Sequence, residues 1–221
     1  MKLPAFKRIP RHVGFIPDGN RRWAQRRGLA KYAGYAAGIK PGFELYRTCI
    51  ALGIEEISVY GFTNDNTHRP AEQTEAFSNA CVSAVKQLAR MDAELLVVGN
   101  DESPKFPPEL KKYRVRQKLG RGLIKVNFLV NYDWHWDLNY ALRHNAGDQR
   151  KEFKESIASA DVSRIDLLVR WGGRRRLSGF LPVQSVYSDI YVVDELWPDY
   201  NTRQFFDALH WYESQDITLG G

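Results

Sequence analysis

A chain of 221 residues with 43% apolar and 26% charged side chains can bury a sizeable core, yet none of its apolar runs approaches the roughly 20 residues of a membrane span. Its two cysteines, Cys49 and Cys81, have neither CxxC nor zinc-site spacing, which excludes a disulfide scaffold and a structural zinc site. The net charge of +6 fits nucleic acid, an anionic surface or a phosphorylated small molecule, so the placement of the charge has to decide.

The basic start, MKLPAFKRIPRH, lacks the apolar segment of a secretory signal, and the expected location is the cytoplasm. In chain order, HVGFIP (12–17) reads as a strand, followed by a polar turn, DGNRRW (18–23). A helix is expected over 38–52, closed by Gly53, and a strand over EISVYGF (56–62). The loop TNDNTHR (63–69) leads to a helix over 70–90, with Pro70 at its first position. AELLVVGN (93–100) is a strand, and 101–122 is irregular; Lys111, Lys112, Arg114, Arg116, Lys118 and Arg121 read there as a solvated helix face. IKVNFLVNY (124–132), DLLVRW (166–171) and IYVVDELW (190–197) complete six strands, with helices over 136–146, 148–159 and 202–213. This alternation predicts an α/β fold, one domain over 1–221, with a mainly parallel six-stranded sheet flanked by helices.

Ligands of open α/β sheets bind outside the carboxyl ends of the strands, and four polar clusters fall there: 18–22, 63–69, 131–135 and 170–178. Gly19 allows backbone N–H groups to approach a phosphate, the N-terminus of the following helix adds its dipole, and Arg21 and Arg22 add charge-assisted hydrogen bonds. Arg170, Arg176 and Ser178 repeat the recipe in WGGRRRLS. Two anion cradles imply two phosphorylated substrates or two ends of one. Asp18 is the odd member, since a carboxylate repels phosphate. It is either a helix N-cap or the holder of a Mg²⁺ that neutralises the bound diphosphate. His68 is either a base or an inconsequential loop histidine. The GxxxxGK[ST] and GxGxxG nucleotide motifs are absent, and so are RRM, helix-turn-helix and zinc-finger patterns, so nucleic acid is not the expected partner.

HVGFIPDGNRRWAQRRG, SVYGFTNDNTHRP, DLLVRWGGRRRLSGFLPVQSVYSDIY and ELWPDY, in this order, resemble the motifs of the cis-prenyltransferases, the undecaprenyl diphosphate synthase family. The resemblance covers about residues 12–203. It implies a Mg²⁺-dependent condensation of two isoprenoid diphosphates, usually in a homodimer. It makes Asp18 the central aspartate, places Gly19, Asn20, Arg21 and Arg22 in the allylic diphosphate loop, and sets Asn66 and Arg69 beside the reacting centre. Arg170, Arg176 and Ser178 become acceptor-site ligands, and Asp189 stands where a glutamate helps to position Mg²⁺.

Several residues depart from the family pattern. Thr67 and His68 follow Asn66 where a tryptophan is usual, and Lys31 and Tyr35 replace an arginine and a histidine. Trp171 replaces a threonine, Arg174 an acidic residue, and Asp133, Trp134 and His135 a glycine-rich turn. These changes are expected to cluster around the reacting ends. Ile39, Phe43, Leu45 and Tyr46 would block a growing chain, and Asp65 and His68 are candidate bases for a branched cation. The pattern is most similar to irregular members that join two dimethylallyl diphosphates into a branched or cyclised ten-carbon product. The alternative is a regular short-chain synthase that uses isopentenyl diphosphate and makes a neryl or Z-farnesyl product.

Overall fold

The computed structural model describes residues 3–144 and 153–216. Among them, seven strands lie in one sheet: β1 (His12–Ile16), β2 (Glu56–Tyr60), β3 (Ala93–Val98), β4 (Gln117–Lys118), β5 (Ile124–Leu129), β6 (Leu167–Arg170) and β7 (Asp189–Val192). Their order is β4-β3-β5-β2-β1-β6-β7, and every pairing is parallel except β3 with β4. All five residues of β1 are buried, because strands flank it on both edges, helices cover one face and the segment with Phe180 and Leu181 covers the other. Such a strand carries continuous hydrocarbon rather than alternation. The seventh strand corrects the expected six. Gln117 and Lys118 are both exposed, so their strand is a charged, two-residue edge without apolar signal.

The helices are α1 (Asn20–Arg26), α2 (Ala33–Ala37), α3 (Ile39–Leu52), α4 (Ala71–Leu88), α5 (Trp134–His144), α6 (Phe153–Ser156) and α7 (Thr202–Glu213). In α3, Pro41, Leu45, Tyr46 and Cys49 form the buried stripe, and Gly53 ends the helix at φ 77°. Pro70 caps α4 from outside rather than opening it. The helix expected over 148–159 is present only as α6, its first residues lying outside the described ones, as do 145 and 146 of the preceding expected helix. The basic run is not one helix face. Lys111, Lys112 and Arg114 lie on a 3₁₀ turn, Lys118 lies on β4, and Arg116 donates to Asn127 Oδ1 at 2.7 Å.

Side-chain alternation splits the core. Val13, Phe15, Leu95, Val97 and Val169 face α3, α4 and α7, whereas Ile16, Leu96, Val98 and Leu168 face Val162, Ile165, Phe180 and Leu181. The chain runs from β1 to β2 on one side and later returns to place β6 on the other. The strand order therefore reverses at β1/β6, and a crevice opens beyond Ile16 and Arg170, which are register partners.

Candidate active site

At that crevice Arg170 Nη2 donates to Asp18 Oδ2 at 2.8 Å. Arg22 Nη2 lies 3.5 Å from the other oxygen, Asp18 Oδ1. Gly172 makes this approach possible, since a Cβ there would stand 2.5 Å from Arg22 Nη2. Asp18 does not cap α1. That position belongs to Gly19 at φ 111°, so the capping alternative falls away and the carboxylate is held between two guanidiniums. Arg170 is only 3% exposed; its Nη1 donates to the Arg176 carbonyl and to Ser178 Oγ, and its buried Nε has no partner. Ser178 sits in the left-handed region at φ 53°, at a cost of about 1–2 kcal/mol. Arg170 holds its hydroxyl and Tyr60 its carbonyl, the Tyr60 hydroxyl donating at 2.8 Å.

These groups line a cleft of about 460 Å³. Of the expected site residues, Asp18, Gly19, Asn20, Arg21, Arg22, Lys31, Asp65, Asn66, Arg69, Arg170, Arg176 and Ser178 reach it. Arg174 does so too, which makes seven cationic side chains against two carboxylates. A surplus of that size suits two diphosphates better than one.

Two expected site residues do not reach the cleft. His68, at the end of the 3₁₀ turn Asn64–His68, is exposed and lies outside the lining. Asp189 opens β7 opposite Leu167, about 10 Å along the strands from the Arg170 edge, so within one chain it cannot share a cation with Asp18. Burial raises the Asp189 carboxyl above its ordinary value. The 131–135 loop is likewise not part of the lining; it touches the 63–69 loop where Asn64 Nδ2 meets Asp133 Oδ2 at 3.3 Å. Trp171 is fully buried, packs 4.8 Å from Trp197 and donates to Gln204 Oε1, so this departure lies in the core and not at the reacting ends. Gln25, Tyr35, Tyr60 and Phe77 also line the cleft. Tyr60 carried a signal, an aromatic at the carboxyl end of a strand. Phe77 carried none beyond helical core spacing.

Below the cleft lies a second, apolar pocket of about 100 Å³ between the sheet, α3 and α4. Ile39, Phe43 and Tyr46 line it, whereas Leu45 is turned into the core. Pro17, Asn20, Tyr35, Tyr60, Gly61 and Phe77 border both cavities. Among the described residues no group of three or more acidic, histidine or cysteine side chains is placed to hold a metal. Asp18 alone fits a Mg²⁺ whose other ligands are phosphate oxygens and water, since that ion is commonly bound through one or two carboxylates.

A cationic cleft joined to a small apolar pocket suits ligands that are anionic at one end and hydrocarbon at the other. The family model described as putative undecaprenyl diphosphate synthase matches residues 16–220, and the chain belongs to this cis-prenyltransferase family. It is 31% identical to ditrans,polycis-undecaprenyl-diphosphate synthase ((2E,6E)-farnesyl-diphosphate specific) of Pectobacterium atrosepticum, covering 96% of this chain and 90% of that one. Identity to the isoprenyl transferase of Nitrosomonas europaea is 30%, covering 99% and 88%. The fold matches lavandulyl diphosphate synthase from Lavandula x intermedia, solved with dimethylallyl diphosphate, at a TM-score of 0.82, with 22% identity over 96% of this chain and 98% of that one. The protein is a prenyltransferase. Among the described residues no helix is long and apolar enough to cross a membrane.

Proposed function

We propose that this prenyltransferase joins two dimethylallyl diphosphates into a branched or cyclised ten-carbon diphosphate. The observation that carries this reading is the size of the apolar pocket. An engineered cavity of about 150 Å³ takes one benzene, so a pocket of about 100 Å³ has room for a single five-carbon unit and not for a growing chain.

The donor diphosphate lies against Gly19, Asn20, Arg21, Arg22 and Lys31, and the second molecule lies against Arg170, Arg174, Arg176 and Ser178. The donor C–O bond breaks, and its electron pair leaves with the diphosphate, where arginines and N–H groups aimed at the developing charge lower the barrier. Mg²⁺ held by Asp18 and the substrate oxygens supplies further neutralisation of the leaving group when bound. Carbon 1 of the donor bonds to carbon 2 of the acceptor and leaves a tertiary cation at carbon 3. Loss of one proton completes the branched product, so two substrates give one ten-carbon diphosphate, one free diphosphate and one proton. Asp65, on the cleft wall, or the departing diphosphate takes that proton. His68 lies outside the cleft lining.

The alternative is a regular short-chain synthase that uses isopentenyl diphosphate; the name of the Pectobacterium relative, an undecaprenyl-diphosphate synthase, supports regular coupling but not a short product. The two readings separate in one assay: purified protein with Mg²⁺ and dimethylallyl diphosphate alone, products dephosphorylated and resolved by gas chromatography and mass spectrometry. A branched or cyclic ten-carbon alcohol is expected. Linear Z-products that form only after isopentenyl diphosphate is added would overturn the proposal. Homodimerisation and a cytoplasmic location are part of the same proposal.

A further inference from the structure

Tyr35 on α2 and Phe77 on α4 stack face to face across the border of the two cavities, ring centroids 4.4 Å apart and planes 1° apart. Phe77 is held from behind by the edge of the buried Phe62 at 5.4 Å. Arg69 ties the stack from above; its Nη1 donates to the Tyr35 hydroxyl at 3.0 Å, and its guanidinium carbon lies 5.8 Å from the Phe77 ring centre. A second tie spans the same gap, Arg21 Nη1 donating to Gln73 Oε1 at 3.2 Å, one helical turn before Phe77. Neither helix can retreat easily, because α2 is seated with Gly34 against the Asn20 carbonyl.

We propose that Tyr35 and Phe77 are specificity-determining residues. Their stack is a fixed partition that keeps the coupled hydrocarbon in the diphosphate cleft instead of letting it thread between α3 and α4. A tail that stays in the cleft keeps its double bond within reach of the new tertiary cation, which favours branching and ring closure over another elongation. This inference rests on the ten-carbon reading above, and it adds to the small volume of the pocket a second control of product length, a helix-to-helix aromatic pair at the border of the two cavities.

The test supplies dimethylallyl and isopentenyl diphosphates together to the wild type and to Phe77→Ala, Tyr35→Ala, Tyr35→Phe and Phe77→Leu, and measures product chain length. The wild-type product alone reports on the ten-carbon reading; the variant-to-wild-type ratio reports on the partition. The alanine variants are expected to raise the share of products longer than ten carbons about tenfold. Tyr35→Phe, which keeps the ring and loses the Arg69 bond, should fall between them and the wild type. If the alanine variants unfold at wild-type temperature and their product lengths are unchanged, the partition is refuted. If they do not fold, Phe77→Leu decides by the same ratio: leucine keeps the core apolar but cannot close the gap as a stacked ring does, so a raised share of longer products supports the partition and a wild-type share refutes it.

Discussion

Asp18 and Arg170, 152 residues apart in sequence, meet in a hydrogen-bonded ion pair at 2.8 Å, so the two anion-binding loops are joined before any substrate arrives. The pair forms because β1 and β6 are parallel neighbours in register and end together. Asp18→Ala removes the one carboxylate placed to hold a cation between the loops and leaves Arg170 Nη2 without its acceptor. The expected result is a fall in kcat of about 10²–10³, the size found when a group stabilising the leaving charge is lost. Excess chelator should have a comparable effect on the wild type. Single-turnover kinetics check both, and full turnover by the variant or in chelator would remove Asp18 from the mechanism.

Gly34→Ala should damage the site without replacing a substrate ligand. A Cβ at residue 34 would stand 2.0 Å from the Asn20 carbonyl oxygen, a backbone atom that cannot rotate away. α1 and α2 must then separate, and the Asp18–Arg22 loop moves with α1. Overpacking of this kind costs about 1–3 kcal/mol. A lower unfolding temperature together with a raised KM is expected, and a wild-type KM would show that the α1–α2 contact does not position the loop.

The parallel sheet is legible in the sequence because strands buried on both faces appear as unbroken apolar runs, as VGFI and LLVV do. The helix α7 is legible for its own reason: Asn201 and Gln204 form a reciprocal capping box at its start, the three-residue spacing that marks a helix entrance. β4 has no such signal. The candidate cleft is legible in three of the four polar loops that follow strands, which yield Asp18, Asn66, Arg170 and Ser178, whereas the 131–135 loop does not line it. It was less legible where a side chain's direction decides. Trp171 directly follows Arg170, and alternation sends one into the cleft and the other into the core. Asp189 misleads because its motif position says nothing of which end of a strand it occupies. His68 does so because a 3₁₀ turn presents its residues in different directions.

The Asp137 carboxylate is fully buried, where it accepts from the Tyr132 hydroxyl at 2.7 Å and from both the N–H and the Oγ of Ser159. Burial raises its carboxyl above the ordinary value, outweighing those donors. The folded chain therefore binds the proton more tightly than the unfolded chain, so this group's contribution is full below the ordinary aspartate range and is lost as pH rises through the folded value. In Asp137→Asn that contribution is gone. The stability of wild type relative to Asp137→Asn should thus grow as pH falls toward 4, by at most about 1.4 kcal/mol per pH unit. Urea unfolding at several pH values checks this, and a difference independent of pH would mean that the buried carboxylate does not titrate differently on folding.

Trp171 separates structural from catalytic readings of the loop after β6. Its ring touches Phe15, Trp197 and Tyr200 at centroid distances of 6.2, 4.8 and 5.7 Å, and its Nε1 donates to the Gln204 side chain that also completes the α7 capping box. Trp171→Thr removes most of that volume and leaves Gln204 with one bond fewer. The loss falls in the range of about 3–5 kcal/mol for truncating a buried tryptophan. Because the indole reaches neither the diphosphate cleft nor the apolar pocket, the ratio of branched to linear products made by the folded fraction should equal that of the wild type. Denaturant unfolding gives the first quantity and product analysis below the transition gives the second. A stable variant with a changed product would place Trp171 among the specificity residues after all, acting through Arg170, its neighbour in the chain.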